Sequence, residues 1–367
     1  MTNFLKERHF PCESCGADLR FAPGQTHLRC AHCGHEQDIP AAPEARLRAL
    51  NEHDLNSALR DALPPAAMED APTTRCPGCG ALVEFQGASH ATQCPFCATP
   101  VVIGTGTNRQ IKPQAVLPFA LDERTARQSM VTWLGGLWFA PNGLVEYARK
   151  GRALNGLYVP YWTFDAATRS SYQGERGDHY YVTETVRVDG RTEQRQVQKT
   201  RWTQARGWVK RAFDDVLVLA SNSLPRRYTD ALAPWDLAAL QPYREDYLSG
   251  FTAEGYTVGL EEGWSRAQEV MAGVIHQDVR RDIGGDAQKV HRIDTEYSAE
   301  TFKHVLLPIW MAAYKYNGKT YRFVVNGQTG RVQGERPWSI WKIAFAVLAV
   351  AAVLGLAVAL DQSGALR

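Results

Sequence analysis

Two blocks of cysteine pairs constrain this chain more than any other feature of it. Cys12 and Cys15 (CESC) are followed by Cys30 and Cys33 (CAHC); Cys76 and Cys79 (CPGC) are followed by Cys94 and Cys97 (CPFC). Adding 64 to each position of the first block gives the second, so the spacing records an internal duplication. Four thiolates in two close pairs suit tetrahedral Zn2+, and short knuckles turning around the metal need a residue that tolerates positive φ. Gly16, Gly34 and Gly80 follow their pairs; Ala98 stands at the fourth position. The reading is two zinc ribbons, at 8–38 and 75–100, each holding one structural Zn2+. Four sulfurs leave no open ligand position, so hydrolysis at the metal is not expected. Iron in a four-sulfur site and disulfides are the alternatives. His27, His32, His35 and His90 read as surface or packing groups.

All eight cysteines lie before residue 98, which separates a cysteine-bearing head from a cysteine-free body. Between the ribbons, residues 43–63 place Leu47, Leu50, Leu55, Leu59 and Leu63 near helical spacing and predict an amphipathic helix. The stretch 64–74, PPAAMEDAPTT from Pro64, reads as a linker. A formal net charge of +2 over 367 residues gives no general case for a nucleic-acid binder.

The body reads as α+β, with two related helix-plus-antiparallel-sheet units at 113–235 and 240–335. Pro160 and Trp162 of the first answer Pro308 and Trp310 of the second. A helix is predicted after Asp122, whose carboxylate can cap it, and another over 265–283. Asp189-Gly190 between two alternating runs predicts a tight hairpin. The runs WTFDA, DDVLVLAS (214–221) and LPIWMAAY are expected in the core sheet. Asp214 and Asp215 read as turn residues, and His276, Asp278, Arg280, Arg281 and Asp282 as a solvated helix face.

Gly318-Lys319-Thr320 spells the end of a phosphate loop. The first glycine of such a loop would fall on Ala313, and the alternating YRFVV that follows favours a strand over the required helix. Asn317-Gly318 instead predicts a second tight hairpin. No nucleophile elbow and no HExxH motif occurs, so no catalytic residue and no cofactor site is expected.

Ile343–Leu360, IAFAVLAVAAVLGLAVAL, carries no charge and as a helix would span roughly 27 Å. Residues 339–360 therefore predict a single C-terminal transmembrane helix, with Trp338, Trp341 and Lys342 at the lipid boundary. Arg331, Arg336 and Lys342 on one side against Asp361 and Arg367 on the other place the body in the cytoplasm, at the bacterial inner membrane. Reduced thiols available to a metal agree with that compartment.

With both ribbons, YVPYWTFDA, DDVLVLAS and LLPIWMAAYKYNGKTYRFVVNGQTGRVQGERP in view, the chain resembles bacterial membrane-anchored double zinc-ribbon proteins. These are often labelled primosomal-protein or superfamily II helicase homologues, or transcription-factor-IIB-type zinc ribbons. The resemblance implies the eight cysteines as zinc ligands and the terminal helix as anchor. It also implies phage-shock-like or flotillin-like protein partners. No helicase motor is implied, because the phosphate loop is missing. The expectation is a non-enzymatic membrane scaffold or adaptor. The alternative is nucleic-acid binding through the ribbons and the basic hairpin of Arg187, Arg191, Arg195, Lys199 and Arg201.

Overall fold

The computed structural model describes residues 10–40, 51–60, 63–84, 91–94, 96, 99–102, 107–140, 154–188, 191–316, 319–335 and 338–362. Its centre is a sheet in which three strands are far longer than the average of five or six residues. They are β11 (Asn155–Val188, 34 residues), β12 (Arg191–Leu219, 29 residues) and β15 (Ala287–Tyr316, 30 residues). At about 3.3 Å per residue, β11 extends roughly 110 Å.

β11 and β12 form one antiparallel hairpin, with Val188 opposite Arg191 and Tyr161 opposite Leu219. β15 lies on the other side of β11, from Met311 opposite Asn155 to Ala287 opposite Gly177. β15 continues into β16 (Lys319–Asn326), with Tyr316 opposite Lys319, and β16 pairs with β17 (Val332–Gly334). Lys319 and Thr320 thus begin a strand. The repeated Pro-Trp motifs sit in neighbouring antiparallel strands of one sheet, with Pro160 opposite Leu306 and Pro308 opposite Tyr158.

This sheet has a root and a blade. At the root, residues 157–164 of β11 are buried on both faces, and so are 302–312 of β15. One root face packs Tyr158, Phe119, Phe251 and Trp310; the other packs Leu157, Val159, Tyr161 and Leu307. Toward the blade, helix α3 (Leu260–Ile283) covers one face. It buries Gly263, Ala267, Met271, Ile275, Val279 and Ile283, a four-residue spacing that makes one stripe. Gly263 is required by close approach, since a Cβ there would come within 2.6 Å of the Trp162 ring. Helix α2 (Glu123–Gly135) is capped as expected: Asp122 accepts a hydrogen bond from the Thr125 amide at 2.8 Å.

The region between the ribbons departs from expectation. Residues 43–50, 61 and 62 of the predicted amphipathic helix lie outside the described residues. Within the remainder, β4 (His53–Asp54) pairs with β15, and only α1 (Leu55–Leu59) is helical, capped by Asp54. An available sheet edge outcompetes helical spacing here. Part of the expected linker also forms structure. Met68–Arg75 is strand β5, paired with β9 (Thr107–Ile111) and β6 (Leu82–Glu84).

The C-terminal segment forms helix α4 (Ile340–Gln362, 23 residues), with side chains described to Gly355. Among the described residues, no helix is long and apolar enough to cross a membrane. The described side chains of α4 nevertheless present apolar groups to solvent around the helix: Ile340, Trp341, Phe345, Val347, Leu348, Val350, Val353 and Leu354.

Candidate metal centres

The first ribbon is a three-stranded sheet of β1 (Leu19–Phe21), β2 (His27–Cys30) and β3 (Glu36–Asp38). Shifted by 64, these strands fall on β6, β7 (Ala91–Gln93) and β8 (Pro100–Val102), so the duplication holds in structure as well as in spacing. Each described knuckle is tied by the same backbone pattern. Gly16 N–H donates to Cys12 O, Gly34 to Cys30 O and Gly80 to Cys76 O, at 2.8–3.0 Å. All three glycines have φ near +76°, a conformation that costs other residues strain.

In the first centre, Cys12 Sγ lies 3.6 Å from Cys33 Sγ, and Cys15 Sγ lies 3.6 Å from Cys30 Sγ. All four sulfurs lie within 4.8 Å of one another. A tetrahedron with metal–sulfur bonds of about 2.3 Å has edges of about 3.8 Å, so the donor set fits Zn2+. The Cys33 N–H donates to Cys30 Sγ at 3.5 Å. That contact, with the His32 N–H, lowers the Cys30 thiol to about 6. In the second centre, Cys76, Cys79 and Cys94 gather in the same way, Cys79 Sγ lying 3.6 Å from Cys94 Sγ. The Gly78 N–H donates to Cys76 Sγ at 3.4 Å. The fourth predicted ligand, Cys97, lies outside the described residues. Both clusters are compatible with zinc. Among the described residues, no histidine joins either one; His27 faces Glu36 instead, at 3.6 Å.

The ribbons do not form a head apart from the body. A ribbon is too small to bury a core of its own, and each completes its core against the root. Leu19, Phe21 and Leu28 share a cluster with Phe119, Tyr158 and Trp310. The Phe21 N–H donates to Ser249 O at 3.0 Å, and the Phe21 ring meets Tyr247 edge-on. The second ribbon joins the sheet itself. β6 pairs with β14 (Thr252–Gly255), placing Val83 opposite Glu254, and Cys76, Ala81 and Phe96 pack with Leu117 and Leu157.

Two polar groupings escaped sequence reasoning. The first surrounds Lys303, whose Nζ lies 3.0 Å from Glu52 and 2.8 Å from Asp215. Asp165 accepts from the Asp215 amide at 2.6 Å, and Thr301 Oγ1 donates to Glu52. Asp215 sits at φ 53° where the β11–β12 register shifts, so it belongs to a bulge inside a strand, not to the expected turn. Burial and the neighbouring Glu52 carboxylate raise Asp165 to about 7. The Lys303 ammonium stands between the Glu52 and Asp215 carboxylates, serving as an internal counter-ion. The signal available in sequence was a lysine inside an apolar run, FKHVLLP, because a buried ammonium requires a counter-charge.

The second grouping is Glu254, buried beneath the second ribbon. Ser221 Oγ donates to its Oε1 at 2.7 Å, and Ser223 Oγ donates to the same oxygen. Burial raises this carboxyl to about 8. His276 is exposed as expected, but Asp278 and Asp282 depart from a merely solvated face. Asp278 accepts two hydrogen bonds from Arg211 of β12, at 2.5 and 2.8 Å, and Asp282 accepts from Tyr172 at 2.6 Å. Those two carboxylates pin α3 to the blade.

The chain is 26% identical over 346 residues to the uncharacterized protein YdjG of Bacillus subtilis (strain 168), covering 91% of this chain and 92% of that protein. No family model and no solved structure matches the chain.

Proposed function

We propose that this chain is a membrane-anchored zinc-ribbon adaptor that recruits protein partners and performs no catalytic step. The observation that carries the reading is α4. Its described side chains expose apolar groups around the helix, and the uncharged run Ile343–Leu360 lies within it. Water does not favour such a surface, whereas a hydrocarbon core does. The flanking charges orient the body toward the cytoplasm. In that compartment the sulfurs remain available to hold one structural Zn2+ per ribbon, through Cys12, Cys15, Cys30 and Cys33 and through Cys76, Cys79, Cys94 and Cys97. The zinc fixes each knuckle and stabilises the ribbon cores shared with the root. The resemblance to double zinc-ribbon envelope proteins supports phage-shock-like or flotillin-like partners.

Fractionation tests the anchor. The full chain is expected in the membrane pellet, and a chain ending at residue 337 in the supernatant; equal distribution of the two would refute anchoring. Crosslinking in intact cells, followed by identification of the adducts, tests recruitment.

A second reading, nucleic-acid binding, has one specific observation in its favour. The blade face opposite α3 is open and carries Trp202 and Trp208 beneath cations: Lys289 lies 3.9 Å from the Trp202 ring centre and Lys210 lies 5.0 Å from that of Trp208. Interleaved aromatic and basic groups suit single strands. Binding of this kind falls steeply with salt, so affinity for single-stranded DNA or RNA that is absent at low salt rules it out.

A further inference from the structure

We infer that the loop following α2, residues 136–140, is a second membrane contact, lying in the lipid headgroup region beside the start of α4. The inference rests on the anchoring reading and deepens it: the body would meet the bilayer at two places far apart in sequence.

The loop reads Gly136-Leu137-Trp138-Phe139-Ala140. Trp138 is 83% exposed, an unusual state for the largest apolar side chain, while Leu134 just before it is buried. At the start of α4, Trp338, Ile340 and Trp341 are exposed as well, at 54%, 80% and 84%. Tryptophan is an interfacial side chain, apolar in body and with one N–H that favours a wet edge.

The loop is fixed to the first turn of α4. The Ser339 N–H donates to Phe139 O at 2.8 Å. Lys342 Nζ donates to Trp138 O at 3.1 Å and to Ala140 O at 2.9 Å. The Phe139 and Trp338 rings lie 6.4 Å apart. Both line an apolar groove whose other wall is Ile343, Ala346, Val347 and Val350 of α4. The apolar surface of the loop is therefore continuous with that of the helix. If α4 enters lipid, the loop arrives at the boundary with it.

The polar chemistry suits the same depth. Backbone carbonyls are costly near hydrocarbon unless they are hydrogen-bonded. Here the Lys342 ammonium satisfies two of them, and a lysine with its long apolar stem is a side chain suited to a membrane boundary. On its other side the loop is held by α2, which buries Ala126, Met130 and Leu134 against the root. Contact at the loop would hence set the tilt of the whole body.

Photo-crosslinking in native membranes tests this with the full chain. Benzoylphenylalanine is placed singly at Trp138, at Phe345 in α4 and at Trp208 on the blade. Lipid adducts are expected at 138 and 345, in yields of the same order, and none at 208. Lipid adducts at 345 with none at 138 overturn the second contact and leave the anchor standing. Adducts at 138 exclusively to protein, whether a second copy or a partner, overturn it as well. No lipid adduct at 345 overturns the anchor, and the inference falls with it.

Discussion

Between Leu157 and Phe164 every residue of β11 is buried, whereas from Ala167 to Tyr172 burial alternates, and beyond Asp178 β12 is the strand's only neighbour among the described residues. Between Tyr161 and Gly177 β11 is paired with β12 on one side and β15 on the other, in root and blade alike; the surroundings differ. At the root, both faces are packed by aromatic and aliphatic side chains and by the two ribbons. On the blade, one face leans on α3 and the other carries Trp202, Trp208 and their cations in the open. Hydrogen-bonded length and buried area are thus separate properties. Stability should reside in the root, leaving the blade free to change its surface.

Metal removal should separate the two regions most strongly. Zinc sites in isolated finger peptides contribute on the order of 10–16 kcal/mol. Stripping metal with a thiol reagent and chelator is expected to abolish amide protection across 245–255, while 167–176 keeps a large share of its own. Hydrogen exchange resolved by segment measures both. Uniform loss along β11 would erase the distinction between root and blade.

Single tryptophans should differ next. Trp162 is fully buried and donates to Val258 O at 3.0 Å, so Trp162→Ala should lower unfolding free energy by roughly 3–5 kcal/mol. Trp208→Ala, on the open face, should stay within about 0.5 kcal/mol. Urea midpoints of the two variants compare them directly.

Carboxyl groups sharpen the contrast through pH. Glu254 titrates near 8 in the folded protein, above its ordinary value of 4.5. Its contribution is therefore complete below pH 4.5 and is lost as pH rises toward 8. Asp278 is held below its ordinary value by Arg211, so its smaller contribution, about 1 kcal/mol or less, disappears as pH falls. Glu254→Gln should flatten the decline between pH 5 and 8, by an amount on the order of a few kcal/mol. Asp278→Asn should leave that window unchanged and alter only the acid side. The smallest effect is expected from joining Gly177 to Trp202 through Asn-Gly, which deletes the outer ribbon. The melting temperature should move by no more than a few degrees.

Much of this was legible in the chain itself. The shift of 64 between cysteines foretold matching strands and Asp122 foretold the start of α2; Asp189-Gly190 and Asn317-Gly318 lie outside the described residues, but the strands on either side of each pair with one another. What was hidden depends on distant partners. Nothing local to His53 and Asp54 says that β15 offers them an edge, and nothing local to Asp215 says that Lys303 lies across the sheet. Nothing local to Trp138 says that α4 lies beside it. Strand length was hidden for a related reason. Past Ala167 the sequence TRSSYQGERGD is polar and does not mark a strand, and the partner that makes it one lies more than a hundred positions away.

The seat of the ribbons carries a consequence of its own. The first grips Ser249 and the second pairs at Glu254 and Gly255, neighbouring points on one short length of backbone. Whatever displaces that length at one end must tug at the other. With zinc in both clusters as proposed, loss of the ion at one ribbon should loosen the backbone that seats the other.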